Sequence, residues 1–181
     1  VSENTIYVGA SDRRLAKFEN LFPIPRGVSY NAYVILDEKT ALLDTADASV
    51  GAQFLENVAA ALDGRKLDYL IVDHMEPDHA AMIEAVLVRW PDLRLVVNAK
   101  TLPMLKMYFP TDSAAIDDAL VVKEGDTLDL GKHKLTFVMA PMVHWPEVMM
   151  TFDATTGTLF SADAFGTFGA LEGALFADEV D

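Results

Sequence analysis

The sequence contains no cysteine in 181 residues. That excludes disulfide staples, a thiolate nucleophile, Cys-ligated zinc and iron–sulfur clusters on this chain, and any metal must be held by nitrogen and oxygen donors. Basic residues are scarce: 14 Lys and Arg stand against 28 Asp and Glu, a formal charge of −14. A surface of that sign repels phosphate backbones, so nucleic acid is not an expected partner. No apolar run reaches the length of a bilayer and no charged-then-apolar signal segment opens the chain, so the expectation is a cytoplasmic protein without a membrane partner. An initiator methionine is lacking too. The chain starts at Val1 and stops at Glu179-Val180-Asp181 directly after an apolar, Gly-containing stretch. The expectation from these ends is one unit over residues 1–181, trimmed or processed at its start and incomplete at its C-terminus.

What is present suits a folded core. Apolar residues make up 51% and charged residues 23%, the balance of a soluble globular protein, in a length that serves one domain. Ala32–Leu36 and Thr40–Asp44 are short apolar runs separated by Asp37-Glu38-Lys39, which predicts a hairpin. After Asp47, the residues Val50, Phe54, Leu55, Val58, Ala59 and Leu62 fall on one helical face until Gly64. Leu67–Val72 and Leu93–Val97 are nearly continuous apolar runs, as expected of strands buried on both faces. Between them, Asp78 is placed as the cap of a helix carrying Met82, Ile83, Val86 and Leu87 and ended by Pro91. Thr101–Tyr108 reads as a short helix broken off at Pro110. From Ala119 onward the pattern is all-β, with runs at Leu120–Lys123, Thr127–Leu130, Lys134–Met139, Val148–Phe152 and Thr158–Ser161. Strand–helix–strand units followed by a meander predict a layered α/β sandwich.

The chemistry is concentrated at strand ends. Asp73-His74-Met75-Glu76-Pro77-Asp78-His79 follows directly on a buried strand, and Pro77 marks the segment as a loop. Two imidazoles and two carboxylates so close together need a cation to offset their desolvation and repulsion. Each residue alone reads more simply as a helix cap or a loop partner; the cluster does not. A second strand runs into Ala140-Pro141-Met142-Val143-His144-Trp145-Pro146, and a third ends in Ser161-Ala162-Asp163-Ala164-Phe165-Gly166. Three of the chain's four histidines lie in these segments; His133 is expected as an exposed turn residue. Asp44 and Asp73 either orient ligand imidazoles through their second N–H or serve local hydrogen bonding, and both readings stay open. The eight methionines read as core filler.

The order His-x-Glu-x-Asp-His, then a distant His, then Asp nineteen residues beyond it, resembles the flavodiiron branch of the metallo-β-lactamase superfamily. The hydrolases of that superfamily have His where Glu76 stands. Gly27-Val28-Ser29-Tyr30-Asn31-Ala32-Tyr33 and the Ser161–Gly166 segment resemble flanking parts of the same family, and the likeness covers nearly the whole chain. It implies a metallo-β-lactamase-like αββα sandwich, of which this chain would be the N-terminal part. It also implies a diiron centre in which His74, Glu76 and His144 bind one iron, Asp78 and His79 bind the other, and Asp163 bridges them, with no catalytic residues beyond the ligands. The family's further His ligand and its flavodoxin-like domain with FMN do not occur in this sequence, so the chain alone is expected to be inactive.

The activity implied is reduction of O2 to water, of NO to N2O, or both, with electrons from a rubredoxin-like donor passed through FMN in a homodimer or dimer of dimers. A carboxylate in place of one imidazole makes a harder, more anionic site that suits iron better than zinc. A bridging Asp163 would hold two metals about 3.5–4 Å apart. Two alternatives use the same residues: a diiron oxygen-binding sensor without a flavodoxin domain, and a zinc metallohydrolase, against which Glu76 argues. Phe165, Phe168, Leu171, Leu175 and Phe176 are expected to form an apolar patch beside the site.

Overall fold

The fold is taken from a computed structural model that describes residues 2–109, 114–176 and 179. Pro110, expected to break a helix, and the closing Val180-Asp181 lie outside the described residues. In chain order the elements are β1 Thr5–Tyr7, β2 Ala10–Asp12, β3 Lys17–Phe18, β4 Phe22–Pro23, β5 Val28–Tyr30, β6 Tyr33–Leu36 and β7 Thr40–Leu43. Then come α1 Gly51–Leu62, β8 Tyr69–Ile71, α2 Pro77–Ala80, α3 Ile83–Arg89, β9 Arg94–Asn98, α4 Thr101–Tyr108 and α5 Ala114–Asp117. The chain continues through β10 Leu120–Val122, β11 Thr127–Asp129, β12 Lys134–Met139, β13 Met149–Asp153 and β14 Thr158–Phe160.

Six strands form one sheet in the order β1-β6-β7-β8-β9-β10, antiparallel from β1 to β7 and parallel from β7 to β10. The predicted hairpin is β6–β7, with Leu36 opposite Thr40 across the charged turn. β11 to β14 form a second, antiparallel sheet in sequence order. β10 departs from expectation. Its residues were grouped with the β meander, yet they pair in parallel with β9 and finish the first sheet.

Two apolar layers hold this together. Phe54, Val58 and Leu62 of α1, Ile83 and Val86 of α3 and Leu105 of α4 pack on Val34, Leu42, Leu70, Leu95 and Val97, one face of the first sheet. The opposite face contributes Ile35, Leu43, Ile71 and Val96, which meet Leu135, Phe137, Met149 and Phe160 of the second sheet. Alternation along each strand thus serves both interfaces of a helix–sheet–sheet stack. The outer face of the second sheet carries Val138, Phe152 and Leu159 partly exposed.

The single helix expected after Asp78 is two short ones. Pro77 takes the first helical position of α2, for which its fixed φ suits it, and this places Asp78 inside the first turn rather than at the cap. Glu76 occupies the cap position in an extended conformation, as a residue before proline must, and its side chain makes no capping bond. Of the methionines, Met75 and Met149 are core filler, whereas Met107 and Met142 are exposed. His133 is not an exposed turn residue. It is 3% exposed and its Nδ1 lies 2.8 Å from Asp153 Oδ2, tying the β11–β12 turn to the end of β13.

Candidate metal centre

All the donors predicted from sequence meet at one edge of the sandwich, just past the carboxyl ends of β8, β12 and β14. His74 and Glu76 lie on the loop after β8. Asp78 and His79 follow on α2 rather than on the loop itself, because Pro77 starts the helix. His144 stands on the β12–β13 loop and Asp163 on the turn after β14. His74, Glu76, His144 and Asp163 form one group and Asp78, His79 and Asp163 another, with the potential ligand atoms of each group within 4.8 Å of one another. Asp163 belongs to both. Its Oδ1 is 2.8 Å from His79 Nε2, while its Oδ2 is 3.2 Å from His74 Nε2 and 3.1 Å from His144 Nε2. Glu76 Oε2 lies 3.0 Å from His74 Nε2 and 2.7 Å from His144 Nε2.

The backbone is bent to bring these atoms together. Among the described residues, seven non-glycine residues have positive φ, and Asp44, Met142, Ala162 and Phe165 of that set each bond to a candidate donor or stand within two residues of one. Left-handed backbone is costly for L-residues and persists where the surroundings impose it.

The imidazoles are oriented from behind. His79 Nδ1 is 3.0 Å from Asp44 Oδ2, so Asp44 has the orienting role that the sequence left open. Asp73 does not: its carboxylate accepts the Thr151 hydroxyl at 2.8 Å, and its backbone N–H donates to Asp44 Oδ1 at 2.7 Å. The partner of His74 is Glu147, whose Oε1 lies 2.8 Å from Nδ1. Glu147 was not singled out from the sequence. It sits 73 residues from His74, and its only signal there is an acidic residue directly after His144-Trp145-Pro146.

The charges of this cluster strain against one another. Burial pushes the Asp78 carboxyl up to about 6, with Asp163 and Glu76 adding to the rise and His79 opposing it. Burial pulls the His74 ring down, but hydrogen bonds to Asp163, Glu147 and Glu76 outweigh that and raise it to about 11. His79 is likewise held well above its ordinary value, burial being outweighed by Asp163 and Asp44. Hydrogen bonding from His74 holds the Glu76 carboxyl below its usual range. Asp163 is lowered as well, the bonds from His74 and His79 overcoming its burial.

The donor set fits a pair of cations. Asp78 Oδ1 is buried and has no hydrogen-bond partner, an arrangement that a bound metal resolves. With Nδ1 of both His74 and His79 engaged by carboxylates, each Nε2 is left aimed at the oxygens of Asp163. Nitrogen and anionic oxygen donors without sulfur make a hard site, suited to iron or manganese more than to soft metals. Above it lies a cavity of about 440 Å³, walled by Phe18, Phe22, Tyr30 and Phe168 and floored by Glu76, Asp78, His79, His144 and Asp163.

Two facing sheets with histidine and carboxylate donors on the loops of one edge place the chain in the metallo-β-lactamase-like class. Within that class it belongs to the family described as ODP family beta lactamase, which matches residues 28–181. The whole chain is similar, at 37% identity, to the anaerobic nitric oxide reductase flavorubredoxin of Klebsiella pneumoniae, of which it covers 37%. It superposes over its full length on rubredoxin oxygen:oxidoreductase from the anaerobe Desulfovibrio gigas, with a TM-score of 0.93, 32% identity and 44% of that chain covered. On the flavodiiron protein of Giardia intestinalis the TM-score is 0.91, with 28% identity over 99% of this chain and 42% of that one. The chain therefore spans less than half the length of these proteins.

Proposed function

We propose that this chain, residues 1–181, is the metal-carrying part of a flavodiiron oxidoreductase that reduces O2, NO or both. The observation that carries the reading is the two-faced Asp163, one oxygen turned to His79 and the other to His74 and His144. A carboxylate shared in that way would let two metal ions sit side by side, the arrangement used when two metals act on one small substrate. His74, Glu76 and His144 would hold the first iron, and Asp78 and His79 the second. When bound, two ferrous ions supply two electrons, enough to join two NO molecules into N2O and half of those that O2 needs to become water.

The protein's own residues do the rest. Asp44 and Glu147 fix the rings of His79 and His74, so that neither turns away when a ligand exchanges. The aromatic wall of Phe18, Phe22 and Phe168 makes the approach apolar, which suits a small uncharged gas and limits water. Further electrons would come from FMN on a flavodoxin-like part, fed by a rubredoxin-type donor, in a homodimer or dimer of dimers. The names of the similar proteins from Klebsiella and Desulfovibrio, a nitric oxide reductase and a rubredoxin oxygen:oxidoreductase, support this reading.

Glu76 separates this function from zinc hydrolysis. Its carboxylate bonds both His74 and His144, and an imidazole in its place would remove one negative charge from the first metal position. In the protein that carries this chain, Glu76→His should lower iron content and O2 or NO consumption together, by about tenfold or more, and raise the share of zinc bound. The measurement is metal analysis beside consumption of O2 or NO with reduced donor. A variant that keeps two irons and full turnover would overturn the assignment of the first iron.

A further inference from the structure

Glu147 is 1% exposed, and a buried carboxylate is costly unless something uses it. Its Oε1 accepts the Met75 backbone N–H at 3.0 Å and stands 2.8 Å from His74 Nδ1, both on the loop after β8. Its own backbone is fastened from a third direction. Asn98, at the end of β9, donates from Nδ2 to the Glu147 carbonyl at 2.6 Å, and Lys100 Nζ donates to the Pro146 carbonyl at 3.0 Å. The same Asn98 accepts at Oδ1 the backbone N–H groups of Lys100 and Thr101, which fixes its side chain.

We infer that Glu147 is a positioning residue that assembles the first metal position as one body, by locking His74 as an Nε2 donor and anchoring the loop that carries His144. This rests on the metal reading given above. With a carboxylate against Nδ1, that nitrogen donates to Glu147, and Nε2 is the ring nitrogen left facing Glu76 and Asp163, the one that would give its lone pair to a metal held there. His144 lies three residues before Glu147; its side chain is 56% exposed and is held at Nε2 by Glu76 and Asp163, so its place depends also on the loop that carries it. The Glu147 bond to the β8 loop therefore sets the spacing of the two imidazoles, helped by the Trp145 ring packed edge-on to His74 at 5.3 Å.

The other oxygen, Glu147 Oε2, is buried with no hydrogen-bond partner. Both oxygens of Asp44, the equivalent residue behind His79, are by contrast engaged. A carboxylate left half unsatisfied is poorly built for stability alone, and the bonds it does make go to His74 and the backbone beside it.

Co2+ is the probe, followed by its visible absorption with chelator competition in the full chain. Two binding steps are expected, one for each donor group, and His79→Ala should remove the step belonging to the second. Glu147→Gln, close in size but uncharged, should weaken the first position by about tenfold, and Glu147→Ala by about 10–100-fold, with the second position unchanged. A merely structural role would weaken both positions alike, and that result overturns the inference, as does unchanged affinity at the first. If Glu147→Ala does not fold, Glu147→Gln alone decides. A wild-type chain that takes up no Co2+ would sink the metal reading together with this one.

Discussion

Asp12 collects three hydrogen bonds from one neighbour: Arg14 gives its backbone N–H at 2.7 Å, Nε at 3.2 Å and Nη2 at 2.7 Å. The Asp12 side chain is buried, and these bonds hold its carboxyl down to about 2 from an ordinary 3.8. A folded value below the unfolded one means stability that is complete above about pH 4 and is lost as the pH falls through about 2. Melts of wild type and Asp12→Asn should therefore differ by a constant amount from pH 7 down to about pH 4, and the gap should close toward pH 2. A gap that is independent of pH would show that the bonds, not the charge, stabilise this corner. Partners of this kind, in which a buried carboxylate is met by a neighbouring side chain, escape sequence reading. Arg14 stands two residues from Asp12, a spacing with no helical or strand meaning, and only the turn after β2 brings them together. His133 belongs with them: Gly131-Lys132-His133-Lys134 looks like an exposed turn, yet Asp153 across the sheet takes up the imidazole.

Among the elements, the loops at the strand ends carry the site, and the strands fix the loops. Asn98 serves this from the end of β9, with one side-chain bond to the Glu147 carbonyl and two from the start of α4. Asn98→Ala should leave a buried carbonyl and two N–H groups without partners and cost about 1–3 kcal/mol, while Asn98→Asp, which keeps the acceptor but not the donor, should cost less. Urea unfolding of the two variants checks this, and equal losses would mean that the bond to Glu147 is the one that matters. The β6–β7 hairpin, α1, α4 and β12 were legible in the sequence because burial there follows a simple period. β10 was not, since three apolar residues fit either sheet and only the helices before them return the chain beside β9. The six candidate donors were legible as clusters of His, Asp and Glu at strand ends, and the fold brings them together. The groups behind them were not. Glu147 and Asp44 reach their imidazoles across 73 and 35 residues, distances that no local pattern encodes.

At the scale of the whole molecule, two opposing properties set how copies meet. The formal charge is −14, so copies repel one another. Apolar side chains nevertheless stand in the open: Phe22 and Phe168 on the wall of the site's cavity, and Leu21, Met142 and Phe176 besides, with Phe165 90% exposed. Leu171 and Leu175, expected in the same patch, are half-buried instead. Phe168 keeps its ring near those of Phe18 and Phe22, with centroids at 5.1 and 6.3 Å, so these three side chains pack as a cluster. Exposed apolar side chains favour association, and charge repulsion over tens of ångströms resists it until salt screens the charge. Raising salt from about 0.02 M to about 0.5 M shortens the screening length from tens of ångströms to a few, while the apolar attraction is retained. Self-association should therefore increase with salt, read as a rising weight-average mass in sedimentation at fixed protein concentration. Replacing Phe165 and Leu21 together by Ser should suppress the rise and lower the binding of an apolar dye, with bound metal unchanged, because neither residue contributes a ligand atom. A mass that falls with salt would mean that copies meet through charge, and the aromatic rim would then have no part in association.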